Sequence, residues 1–221
     1  MTADTFVIDP SARTPDADIW FALPAGFIPL PFRELLKSEK ASAGTDTAPR
    51  WPQAMPMLHA LGDSQRALEF LLPVRRLFQV LAHNGVLHCS LGLHRDDEAD
   101  GALLPSLFTL GWQEIAWAPR RVTVARIAAG THDARHAEVL ELPCGPASLV
   151  VTTLDASAAG LPRDLLQVAV HIPYPEATKL AVLTLSTPAA HRADHYCDLL
   201  RETARMVTFE NPLPVNLQGE A

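Results

Sequence analysis

The stretch Leu165–Phe209, LLQVAVHIPYPEATKLAVLTLSTPAAHRADHYCDLLRETARMVTF, decides the fold. Within it Leu166, Val168, Val170 and Ile172 alternate with Gln167, Ala169 and His171, the two-residue period of a half-buried strand. Pro173, Tyr174 and Pro175 end that strand, because a proline nitrogen has no hydrogen to give to a ladder. A second apolar run, Leu180 to Leu185, returns after a short polar loop, and the two runs read as a hairpin. Ser186-Thr187-Pro188 then predicts a helix start, with Thr187 as the cap and Pro188 at the first helical position. Beyond it Ala193, Tyr196, Cys197, Leu200, Ala204 and Val207 recur with the helical period, which predicts a C-terminal helix lying on the sheet.

Upstream, Leu87, Cys89, Leu91 and Leu93 take one face of a strand and His88, Ser90 and His94 the other, before an acidic loop. Ser106 to Trp117 predicts an antiparallel partner. Pro119 and Gly130 punctuate a helix, against the strand preference of Val122, Thr123 and Val124. Ala137–Leu142 and Ala147–Leu154 read as strands joined by the turn Pro143-Cys144-Gly145-Pro146. Nearer the start, residues 1–17 are a loose arm and Asp18–Leu23 a short first strand, after which Pro24, Gly26, Pro29 and Pro31 break the chain. A helix follows over about 32–42, then a linker over 43–56. A longer helix runs from Asp63 or Ser64 to Asn84-Gly85, kinked or split at Pro73. Residues 210–221 form a tail, either disordered or docked as an extended peptide. No βα unit repeats, so the class expected is α+β: one domain over 18–209, an antiparallel sheet flanked by helices.

Composition excludes several functions. The net charge is −7, and the lysines are Lys37, Lys40 and Lys179 alone, so no basic run exists to track nucleic acid or an anionic membrane. The excess of arginine over lysine, with abundant alanine and proline, points to a high-GC genome. Cys89, Cys144 and Cys197 are far apart, odd in number and without a CxxC pair, which predicts reduced thiols and a cytoplasmic setting. The N-terminus lacks the basic and apolar regions of a signal peptide. No apolar run approaches the roughly 20 residues of a membrane span.

Four pieces carry a family resemblance: FALPAGFIPLP at 21–31, NGVLHCSLGLHRDDE at 84–98, LELPCGPASLVV at 140–151 and VHIPYPEATKLAVLTLSTP at 170–188. On these the chain resembles uncharacterised actinobacterial proteins with a PsbP-like α/β sandwich. The resemblance implies an antiparallel sheet flanked by helices and a non-enzymatic binding or accessory role. Related small proteins are often exported lipoproteins. This chain departs from them in having no lipobox cysteine and no signal, so a cytoplasmic accessory role is expected.

Candidate chemistry is sparse. His132, Asp133 and His136 form HDARH, a spacing found in some metal-dependent hydrolases, and His88 or His94 would have to supply further ligands. His191 and His195 stand one helical turn apart, but on the face opposite Ala193, Cys197 and Leu200, which makes them a solvated pair. Neither a GxSxG elbow nor a phosphate-cradling glycine loop occurs. Cys89 and Cys197 fall on apolar faces as small core residues, and Cys144 sits in a turn. Trp51, Trp112, Trp117 and Tyr174 are the aromatic residues suited to a pocket or an interface. Trp112 and Trp117 have opposite strand parity, so one is expected in the core and the other at a contact. The first reading is therefore a binding or accessory protein without a cofactor, which meets a protein partner through Trp112, Trp117 or Tyr174. A secretion or injection apparatus is one setting for it, by analogy. The alternative is a metal-dependent hydrolase using His132, Asp133, His136 and His88. A third, a small-molecule carrier, calls for a closed apolar pocket between sheet and helices.

Overall fold

Seven strands join into one antiparallel sheet in the computed structural model, which describes residues 17–23, 26–30, 84–95, 103–154 and 164–212. The strands are β1 (Phe27–Pro29), β2 (Val86–Arg95), β3 (Leu103–Glu114), β4 (His136–Leu142), β5 (Gly145–Leu154), β6 (Leu165–Pro173) and β7 (Lys179–Thr187). They lie in the order β1-β2-β3-β7-β6-β5-β4. Two α-helices occur among the described residues, α1 (Arg120–Gly130) and α2 (Ala193–Arg205). The arm before residue 17, the helices expected over 32–42 and 63–83, the linker 43–56 that contains Trp51, and the tail beyond 212 lie outside the described residues.

The β6–β7 hairpin pairs as the alternation requires, with Val168 opposite Leu185, Val170 opposite Leu183 and Ile172 opposite Ala181. Together with Phe108, Leu110, Leu149 and Leu166 these side chains, each at most 1% exposed, form the inner face of the sheet. Tyr196, Leu200 and Ala204 of α2 cover that face and are themselves buried. Burying a leucine such as Leu200 stabilises by about 2 kcal/mol, so the apolar stripe rather than local propensity seats the helix. The residues between them in sequence point the other way. Ser148, Val150, Ala169 and His171 lie on the second face, where α1 rests and buries Thr123 and Val124.

Three local readings change. Thr187 does not cap a helix: it ends β7 fully buried, its hydroxyl donating to the Pro105 carbonyl at 2.9 Å and accepting from the Ala189 N–H at 3.2 Å. A 3-10 turn, Ala190–Arg192, follows, and the α-helix begins only at Ala193, so Pro188 is outside it. In place of the Asp18–Leu23 strand Trp20 makes an isolated antiparallel bridge with Thr208, and the first strand among the described residues is Phe27–Pro29, within the proline-rich stretch read as a chain break. Pro29 fits there because, among the described residues, β1 pairs with β2 alone and the missing N–H interrupts no second ladder. In β2 the polar face turns inward. A register shift between Val86 and His88 sets His88 opposite Leu110 and Ser90 opposite Phe108. His88, 6% exposed, packs edge-on against Phe21 with ring centroids 5.0 Å apart. Cys89, on the other face, is also fully buried, so alternation in β2 separates two covered sides rather than core from solvent.

Candidate functional site

The four residues of the hydrolase reading do not meet. His132 and Asp133 are exposed in the turn after α1, and His136 is exposed at the start of β4. His88 lies in β2, five strand spacings from β4 in the sheet order. At ~4.8 Å per spacing that is roughly 24 Å, far beyond any shared ligand sphere. Among the described residues no group of three or more His, Cys, Asp or Glu side chains is placed to hold a metal. His191 and His195 are both exposed, but His191 lies in the 3-10 turn and only His195 in α2, so the expected shared helix face is not formed. The thiols are equally unsuited to nucleophilic work: burial pushes Cys89 up to about 12 and raises Cys197 as well.

Trp112 and Tyr174 do come together, in a half-buried cluster that no spacing announced. Their rings meet edge-on with centroids 5.6 Å apart, and Phe209, just past α2, packs 5.1 Å from Tyr174 and 6.3 Å from Trp112. The Lys179 ammonium lies 4.3 Å from the Trp112 centroid and 4.4 Å from that of Tyr174, and it is tied to Asp18 at 2.8 Å. This cluster fastens both flanking segments to the sheet end, since Trp20 and Thr208 exchange backbone bonds beside it. With its own cation already seated, it reads as structural.

Trp117 is different. β3 ends at Glu114, so strand parity does not govern it, and it stands 70% exposed in the loop that leads into α1. Its neighbours Ala116 and Ala118 line a cleft of about 430 Å³ between α1 and the sheet, together with Ile115, Thr123, Arg126 and His171. The cleft is polar and apolar in similar measure and opens to solvent, unlike the closed apolar pocket of the carrier reading. Two polar atoms of its lining residues, Thr123 Oγ1 and His171 Nδ1, are buried without a hydrogen-bond partner among the described residues. Burial lowers the pKa of His171.

The position of α1 is set by a residue that periodicity could not single out. Arg120 donates from Nε to the Pro173 carbonyl at 3.0 Å and from Nη2 to the Cys144 carbonyl at 2.7 Å. One guanidinium thus joins the helix start to the end of β6 and to the β4–β5 turn, passing over Gly145, whose φ of 124° leaves no comfortable place for a Cβ. Arg120→Ala is expected to cost about 2 kcal/mol, because two charge-assisted bonds to half-buried carbonyls vanish together. Arg120→Lys should restore less than half of that, since an ammonium lacks the planar fork. Urea titration of the three proteins reads the difference.

The fold and the cleft define an α+β protein with a helix on each face of one antiparallel sheet. No family model and no curated protein matches the chain. Among solved structures it is similar to the Saccharomyces cerevisiae Ran-binding protein Mog1p, with 11% identity and a TM-score of 0.44 over 94% of this chain and 96% of that one. A likeness of that size carries no functional argument.

Proposed function

We propose that this chain is a non-enzymatic accessory protein that binds a partner protein at the lip of the α1 cleft. The observation that carries this reading is Trp117, 70% exposed beside a cleft of about 430 Å³. A tryptophan supplies a large, rigid contact area with one N–H donor, the combination enriched at the centres of interfaces. The cleft next to it has room for a partner's side chain. Trp112 and Tyr174, already packed on each other, act only in holding the scaffold.

A secretion or injection apparatus is one setting in which to look for the partner, by analogy alone. The three free cysteines support a cytoplasmic setting. No described helix is long and apolar enough to cross a membrane. The test is affinity for the partner recovered with the wild-type chain, measured beside Trp117→Ala. A central anchor is worth about 2 kcal/mol or more, so binding should weaken by about thirtyfold with an unchanged melting temperature. Equal affinity for both proteins would remove Trp117, and this reading with it.

A further inference from the structure

We propose that two copies of this chain pair through their β4 edges, antiparallel about Val139, and so extend the sheet across a two-fold axis. This is independent of the partner contact at Trp117. β4 is the last strand in the sheet order and, among the described residues, pairs with β5 alone. Its register with β5 runs unbroken from His136 opposite Val151 to Leu142 opposite Gly145.

An edge strand presents a row of backbone donors and acceptors, and proteins that must stay apart blunt it with lysine, proline, a bulge or outward charge. β4, HAEVLEL, has no lysine, no proline and no bulge. Its midpoint is Val139, 53% exposed. Its two carboxylates are each drawn to a helix of their own chain: Glu138 to Arg201 of α2 at 2.6 Å, and Glu141 to Arg121 of α1 at 2.7 Å. The usual charge guard is therefore largely neutralised within the chain.

The sequence of the strand is also compatible with itself. Pairing about Val139 sets Val139 against Val139, Ala137 against Glu141, Glu138 against Leu140 and His136 against Leu142. No carboxylate stands directly opposite a carboxylate, and the central pair is β-branched on both sides, which favours cross-strand packing. An isologous contact needs this self-complementarity, and it is what favours a second copy over an unrelated peptide as the occupant.

The experiment is sedimentation equilibrium of the full chain, of Val139→Lys, of Val139→Glu and of the two variants mixed. The wild type should form a dimer. Each variant alone should dissociate at least tenfold more readily, because two like charges would stand directly opposite each other. The mixture should regain a heterodimer, since opposite charges then meet. Melting curves check that every variant is folded. A wild type that stays monomeric overturns the proposal. So does a Val139→Lys dimer as tight as the wild type, or a mixture that fails to pair. Residues 213–221 are the competing occupant of the edge: a chain ending at Pro212 that dimerises where the full chain does not would assign the edge to the tail. Trp117→Ala should leave the dimer unchanged, which separates this outcome from that of the partner test.

Discussion

Tyr196→Ala is expected to lower the stability of the fold by about 4 kcal/mol, the scale of deleting a buried aromatic ring. Tyr196 is 1% exposed and is among the largest fully buried side chains of the protein. It belongs to the cluster that includes Val168, Val170, Leu183, Leu185 and Leu200, so its removal leaves a cavity between α2 and the central hairpin. A neighbouring position supplies the contrast. Asp198 is exposed and ion-paired to Arg201, three residues on, while Arg201 keeps Glu138 as a second partner. Asp198→Ala should therefore cost only about 0.5 kcal/mol. Urea titrations of the two variants share the helix and differ only in the face touched. A loss under about 1.5 kcal/mol for Tyr196→Ala would mean that α2 does not rest on the sheet as described.

The hairpin and the face of α2 were legible because each buries one side only. Val168, Val170 and Ile172 are fully buried while Gln167, Ala169 and His171 are less so, and a period of two reports that difference directly. β2 breaks the premise. His88 and Cys89 are both buried, on opposite faces, so polarity there says nothing about which side meets the core. The start of α2 was misplaced because Thr187 is held by Pro105, 82 residues away, and a long-range bond of this kind has no local signature. Strand order is equally silent in the sequence: HDARH and His88 looked available to one another only until the sheet set them on opposite sides of its middle. Of the aromatic candidates, Trp112 and Tyr174 converge through residues far apart in the chain, completed by Phe209 and Lys179. Trp117 gained its exposure when β3 stopped at Glu114, short of the boundary that the pattern implied.

The close approach of β2 and β3 predicts the second large effect, Gly85→Ala, at about 3 kcal/mol of lost stability. Gly85 adopts φ +77°, and a Cβ added there would lie 2.4 Å from the Trp112 carbonyl oxygen, a backbone atom that no rotamer change can move aside. The same glycine accepts the Trp112 N–H at 2.9 Å through its own carbonyl, so the strands cannot part without losing that bond. Gly111 closes the contact from the other side, where a Cβ would come within 2.9 Å of the Gly85 oxygen. Two glycines are needed because the register shift between Val86 and His88 brings the strand backbones against each other at this point. Gly130→Ala is the control: nothing lies within 4 Å of a Cβ at that position, and its φ is not positive. For a domain of this size each kcal/mol moves the midpoint by about 3 °C, so Gly85→Ala should melt roughly 9 °C lower. Gly130→Ala should melt at the wild-type temperature or up to about 3 °C above it, because alanine loses less backbone freedom on folding. Equal midpoints for Gly85→Ala and Gly130→Ala would show that β2 and β3 have room to shift, and that the seating of Trp112 over Tyr174 does not depend on this glycine pair.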